Sequence, residues 1–221
     1  MALQNLTFLE VDKRMPLMSL PVRTAIVQLE TARVLFSPAS TLTPAQLEEA
    51  GDITTIVAPS LLHTAGMSAA ARAHPRAKLW GPVGARDKLP ELHWSGTLGV
   101  DPWPYEEELS RVGLAGMPKV NESVFLHRAS RSLLVTDIIF NIENPSGLGA
   151  RFVLSVFGTY RKLGVSRLFL KLVKDDRAFR AAIAQVTALD FEHLVPSHGA
   201  IVMNEGKSRW LAAMRERRQL D

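Results

Sequence analysis

A β-branched run, Ile53-Thr54-Thr55-Ile56-Val57, passes through Ala58 and Pro59, meets one histidine at His63, and enters an Ala-rich stretch at Gly66 and Met67. A strand ends here and a helix begins. Such a junction demands a layered α/β architecture, because the strand must pair in a sheet and the helix must cover it. It also marks the carboxyl edge of the sheet, where proteins of this kind place their chemistry. Yet Pro59, Leu61 and Leu62 stand where a working site would want polar groups.

The rest of the chain fits that architecture. Strand patterns cover 6–12, 25–31 and 33–39, the last two joined around Thr31 and Ala32 as a hairpin. Thr43 is placed to cap a short helix that opens at Pro44 and stops at Gly51. After the junction come a helix over 66–74, closed by Pro75, and a strand over 78–82. Residues 84–108, rich in Gly, Pro, Trp and acids, read as an irregular excursion. A second series of strands follows at 110–116, 123–129 and 132–142, the latter two separated by a polar turn. Beyond Asn144-Pro145 the pattern is helical over 151–164, apolar on most sides and hence expected to be buried or covered. It is helical again over 175–189, with an apolar stripe of Phe179, Ile183 and Val186. A strand over 193–199 and a basic helix follow. The length allows one large domain or two small ones, and two strand-rich halves, each leading to helices, predict two packed sheets flanked by helices.

Composition narrows the function. The 221 residues contain no cysteine, which removes disulfides, thiolate metal sites and cysteine nucleophiles, and fits a cytoplasmic protein. The opening residues lack the apolar core of a signal peptide, and no apolar run is long enough to span a bilayer. The formal charge is +4, with much of the excess in the last helix. There Trp210, Leu211 and Met214 share one face, and Lys207, Arg209, Arg215, Arg217 and Arg218 crowd the rest. Contact with an acidic membrane surface or nucleic acid is one reading. Packing on the body with a solvated basic face is the other, and it is favoured because cations suit a helix C-terminus. The nucleic-acid signal is not strong. Trp94, Trp103 or Phe157, if exposed, would favour a homo-oligomer.

Three residues carry the chemical interest. Asp137 interrupts an apolar strand, and a carboxylate there is costly unless paired, hydrogen-bonded or metal-bound. It marks either an opening site or a structural cap. His198, in Ser197-His198-Gly199, follows an apolar strand, and the glycine tolerates the sharp turn that would present its imidazole. His63 is its counterpart at the first junction. His74, His93, His127 and His193 are weaker candidates, and no histidine pair has the spacing of a helical zinc site. Ser60 and Ser197 lie close to the interesting histidines, but a serine nucleophile needs an oriented base that sequence does not show. Phosphate-loop and nucleophile-elbow motifs are absent.

The order of elements resembles the metallo-β-lactamase fold along nearly the whole chain, with Ala58-Pro59-Ser60-Leu61-Leu62-His63-Thr64 in the place of the family's histidine-rich metal motif. The resemblance implies a four-layer αββα sandwich of two mixed sheets flanked by helices, in a single domain over 1–221. It puts the first-site ligands on Pro59, Leu61 and Met117, the motif Asp on His63, the final motif His on Thr64, the bridging Asp on Asp137 and the last His on His198. Details such as Leu194-Val195-Pro196-Ser197-His198-Gly199 are similar to an uncharacterised branch with the same eroded motif. The expectation is a protein without the dinuclear centre, serving as a non-hydrolytic binding or interaction module for a small molecule. The alternative is a mononuclear metal-dependent hydrolase using His63, Asp137 and His198 to hold one Zn or Fe ion.

Overall fold

The computed structural model describes residues 3–217. The first half comprises β1 (Leu6–Arg14), β2 (Ser19–Gln28), β3 (Arg33–Phe36), α1 (Pro44–Glu49), β4 (Thr55–Val57), a single 3₁₀ turn (Leu61–His63), α2 (Met67–Ala73), β5 (Lys78–Pro82), α3 (Ala85–Lys88) and β6 (Trp94–Leu98). The second comprises β7 (Leu109–Gly113), β8 (Ser123–His127), β9 (Ser132–Val135), β10 (Phe140–Asn141), α4 (Gly147–Phe157), β11 (Leu163–Gly164), α5 (Arg167–Leu170), α6 (Asp176–Ala188), β12 (His193–Pro196) and α7 (Gly206–Glu216).

Strands β1 to β6 form one sheet in sequence order, antiparallel through β3 and parallel from β3 to β6. The other sheet runs β12-β9-β8-β7, with β12 parallel to β9 and the rest antiparallel. Period-two alternation builds the layers. Val34, Phe36 and Val57 of the first sheet meet Phe125, Leu134 and Val195 of the second in the central core. The intervening residues Leu35 and Ile56 face outward onto Leu47 of α1 and Met67 of α2. Val124, Leu133 and Leu194 face the other way, onto Phe179 of α6 and Trp210 of α7. Helices cover both outer faces, giving the four-layer αββα sandwich, with β10 and β11 as a small additional pair.

Local signals explain several boundaries. Thr43 Oγ1 accepts the Gln46 N–H while the Gln46 side chain accepts the Thr43 N–H, a capping box that starts α1. Asp175 caps α6 through the Ala178 N–H, and the Phe179, Ile183 and Val186 stripe is buried.

Three expectations need correction, and one condition set by the sequence is not met. Strand β2 begins at Ser19, ahead of the expected start, and runs through Pro21, which is paired in register with Asp12; a proline within a run normally argues against a strand. The stretch 84–108 is not wholly irregular, since it holds α3 and β6, the edge strand of the first sheet. Trp94 and Trp103 are buried, so they offer no surface for self-association, and Phe157 is half-buried. The helix expected over 151–164 is shifted to Gly147–Phe157 and stops at Gly158, which adopts φ +72°. Its apolar face is not covered: Leu148, Phe152 and Val156 are exposed.

The basic terminal helix packs on the body. Trp210 is fully buried and donates its ring N–H to Thr187 Oγ1. Lys207 reaches the carbonyls of Thr187 and Leu189, and Arg217 those of Val165 and Gly158, so two of the cations serve to fasten the helix. Arg209 and Arg215 are exposed, and Arg218 lies outside the described residues. Among the described residues no helix is long and apolar enough to cross a membrane.

Candidate functional site

The site forms where strand ends of the two sheets converge. Asp137 and His198 each stand two residues beyond the last paired position of β9 and β12, Val135 and Pro196, so the parallel register delivers both side chains to one edge. Strand β9 stops before Asp137, so the carboxylate lies outside the apolar strand expected over 132–142. His63 arrives from the 3₁₀ turn after β4.

The three side chains meet. His63 Nε2 lies 3.2 Å from Asp137 Oδ2, and His198 Nε2 lies 3.6 Å from Asp137 Oδ1. Their candidate donor atoms all fall within 4.8 Å of one another, the one such group among the described residues. Each ring is oriented from behind. His198 Nδ1 donates to the Pro21 carbonyl at 2.9 Å, and Phe140 stacks on its face at 4.9 Å. His63 Nδ1 is 2.7 Å from Ser37 Oγ. Burial alone would raise the Asp137 carboxyl, but the His63 and His198 imidazoles outweigh it and hold the group below its usual range.

This donor set fits one divalent ion. With Nδ1 donating to Pro21, the His198 atom left to face Asp137 is Nε2, the one that would bind an ion between them. Asp137 Oδ2 is buried, with His63 Nε2 at 3.2 Å as its nearest polar contact among those seen. Ligands about 2.0–2.1 Å from a tetrahedral ion stand roughly 3.3 Å apart; the two nitrogen–oxygen contacts of 3.2 and 3.6 Å match this, and the whole set lies within 4.8 Å. Orientation of each imidazole by a partner on its other nitrogen is how protein metal sites fix the tautomer.

The remaining candidates serve elsewhere. Pro59 and Met117 are buried and Leu61 is partly buried, and none carries a ligand atom suited to a hard or borderline ion. Thr64 donates to the Leu61 carbonyl. His74 contacts the Leu47 carbonyl, His127 contacts Ser130, His193 accepts the Asn204 N–H, and His93 is exposed. Ser60 is buried with an unpartnered hydroxyl, and Ser197 contributes backbone bonds to Val135 and Arg23.

Three contributors were not legible in the sequence. Ser37 follows β3 as His63 follows β4, and its small polar side chain at a strand end was the available signal. Ser37, His63 and Asp137 are arranged as a nucleophile triad would be. Ser37 is nevertheless fully buried at φ +57°, which makes it a positioning residue rather than a nucleophile. Were the trio to hold an ion, Ser37→Ala would cost about 10-fold in affinity for it, the lower end of what removing an outer partner of a metal-bound ring costs; competition against a chromogenic chelator measures it. Arg23 clamps the loop that carries His198. Glu122 is buried behind Asp137; its Oε1 accepts the Thr136 N–H at 2.9 Å and its Oε2 has no partner.

Burial, and then the charge of Asp137, push the Glu122 carboxyl up to about 7. A carboxyl raised in the folded state stabilises fully below its unfolded value and loses that contribution as pH rises through the folded one. The metal-free protein should therefore lose stability between about pH 4.5 and pH 7 on this account. Glu122→Gln should flatten that slope and stabilise the fold by roughly 1–3 kcal/mol at pH 8. Urea unfolding at pH 5 and pH 8 checks it, and an unchanged slope in the variant contradicts the assignment.

The four layers, together with a site at the strand ends between the two sheets, define the metallo-β-lactamase fold. The chain is similar to a metallo-beta-lactamase from Pontibacter korlensis, with 14% identity over 96% of this chain and 95% of that one and a TM-score of 0.66. It is also similar to the metallo-beta-lactamase FIM-1 from Pseudomonas aeruginosa in its mono-zinc form, with 15% identity over 99% and 94% and a TM-score of 0.60. A third similarity is to the metal-soaked Flv1 flavodiiron core from Synechocystis sp. PCC6803, with 10% identity over 96% of this chain and 60% of that one and a TM-score of 0.64. No family model and no curated protein matches the sequence. At these identities the likeness concerns the fold.

Proposed function

We propose that the chain is a mononuclear metal-dependent hydrolase of the metallo-β-lactamase fold, with one divalent ion held by His63, Asp137 and His198. The observation that carries this reading is the convergence of two Nε2 atoms on one carboxylate, with each ring's other nitrogen already engaged by Ser37 or Pro21. A second ion in the family's first position has no support from Pro59, Leu61 or Met117. An ion with three protein ligands keeps an open position and lowers the pKa of water bound there. The protein's own part is to orient both imidazoles from behind, His198 through the Pro21 carbonyl and His63 through Ser37 Oγ. Lys13, which lines the same cleft, supplies a cation for an anionic group of the substrate.

A non-hydrolytic binding module is the second reading. It is favoured by one observation: with protonated imidazoles, the same His–Asp–His geometry is satisfied without an ion. Elemental analysis after reconstitution with Zn(II) or Fe(II) separates the two. One ion per chain is expected, with His63→Ala and His198→Ala each weakening it by more than the roughly 10–100-fold of an outer-partner loss. No bound metal under any condition would leave the binding module, and two ions per chain would overturn the one-ion proposal.

A further inference from the structure

The geometry points to a ligand class for this site: a free, medium-length straight-chain carboxylic acid or its ester. Its hydrocarbon tail occupies a cavity beside the trio, and its carboxyl end enters the polar cleft that Asp137 borders and Lys13 lines. The carboxyl end of this assignment rests on the one-ion reading; the tail does not.

A cavity of about 190 Å³ opens between the β1–β2 turn, α4 and α5. Met15, Met18, Phe140, Val153, Phe157 and Leu168 contribute to its walls. Its polar lining residues are Thr159, Ser166 and Asp137, and the Ser166 hydroxyl is already engaged by the Leu168 and Phe169 N–H groups as the cap of α5. Asp137 is thus the one charged group on the wall, and it stands at the boundary with the polar cleft that holds His63, His198 and Lys13. The two spaces also share Leu20 and Leu62. A single molecule crossing that boundary must be apolar along its length and polar at one end.

Size selects among such molecules. Pockets for drug-sized ligands measure about 300–1,000 Å³, whereas an apolar cavity of about 150 Å³ holds benzene. At about 190 Å³ the space suits a narrow chain of medium length better than a bulky ring system. The methionines at the hairpin turn are flexible enough to close around a chain of variable length. A glycine keeps the wall together: a Cβ at Gly149 would stand 2.0 Å from the Leu17 carbonyl oxygen, so α4 approaches the hairpin turn only because that position lacks one. At the mouth Met15 is 46% and Leu168 48% exposed, hydrocarbon that water solvates poorly and that an arriving tail would cover.

The test is calorimetric titration of the full chain, with and without metal, using butanoate, hexanoate, octanoate and decanoate. Affinity is expected to rise about four-fold per added methylene, the increment for burying one CH₂, and to level off by decanoate. Val153→Phe, at a half-buried position, and Leu168→Trp, at an exposed one, fill the cavity from two sides. Each should weaken octanoate at least ten-fold while leaving metal stoichiometry unchanged. Affinity independent of chain length, or octanoate binding indifferent to both variants, overturns the tail site. A chain-length slope in a protein that never binds metal supports the tail site and defeats the one-ion reading. One bound ion with a flat slope does the reverse.

Discussion

Replacing Gly199 by alanine should destabilise the protein by about 3–5 kcal/mol and abolish the metal binding proposed for the trio. Gly199 adopts φ +101°, a region that residues with a Cβ rarely occupy, and its ideal Cβ would lie 2.0 Å from the Asn141 carbonyl oxygen and 2.3 Å from its carbon. These obstacles are backbone atoms, which cannot rotate away as a side chain would. The close approach exists because β10 lies against this loop: the Asn141 N–H donates to the His198 carbonyl, and the Ala200 N–H donates to the Asn141 carbonyl. Relief by moving the loop would displace His198 itself. Thermal unfolding should show a drop on the order of 10 °C, since 1 kcal/mol moves the midpoint of a domain this size by about 2–4 °C. A midpoint within about 2 °C of the parent would show that the loop yields without strain.

The sequence carries the Gly199 signal openly and hides others, for physical reasons. A short unbroken apolar run announces a strand buried on both faces whatever it pairs with, so Val34 to Phe36 and Leu133 to Val135 are readable. A charged residue breaking an apolar run made Asp137 visible, and a histidine before a glycine did the same for His198. The contribution of Ser37 depends on His63 lying one strand away, a neighbour that only the parallel β3–β4 pairing creates. Glu122 lies in a polar loop segment and becomes chemically interesting only because Thr136 and Asp137 fold over it. The exposed face of α4 was misjudged because an apolar helix ordinarily implies cover from the core. Here only one face of the helix, Val153, Leu154 and Phe157, is turned to the body, where it walls a cavity, and Leu148, Phe152 and Val156 are left outside.

Arg23 is the clearest hidden contributor, and Arg23→Met should cost about 3–5 kcal/mol. Its Nη1 donates to the carbonyls of Pro196 and Gly199, both at 2.6 Å, while Nε and Nη2 grip Glu10 Oε1 at 2.8 and 2.6 Å. Its backbone N–H donates to the Ser197 carbonyl at 2.7 Å. One residue of β2 thus ties the first sheet to the loop that carries His198. Methionine fills the space of the stem but leaves two carbonyls without the donor they had, and hydrogen bonds to a charged group contribute about 1.5–3 kcal/mol each. The Glu10 contact contributes far less, because that carboxylate is 62% exposed and water screens the pair. Glu10→Gln should therefore change stability by less than about 1 kcal/mol. Arg23→Lys should fall between, because a single ammonium lacks the planar fork that serves both sides at once. Urea unfolding of the three variants ranks them. If Glu10→Gln proves as harmful as Arg23→Met, the ion pair rather than the carbonyl clamp holds the loop. The same order should recur in metal affinity, since each step that loosens Pro196 to Gly199 also frees His198 from the Pro21 carbonyl that fixes its tautomer.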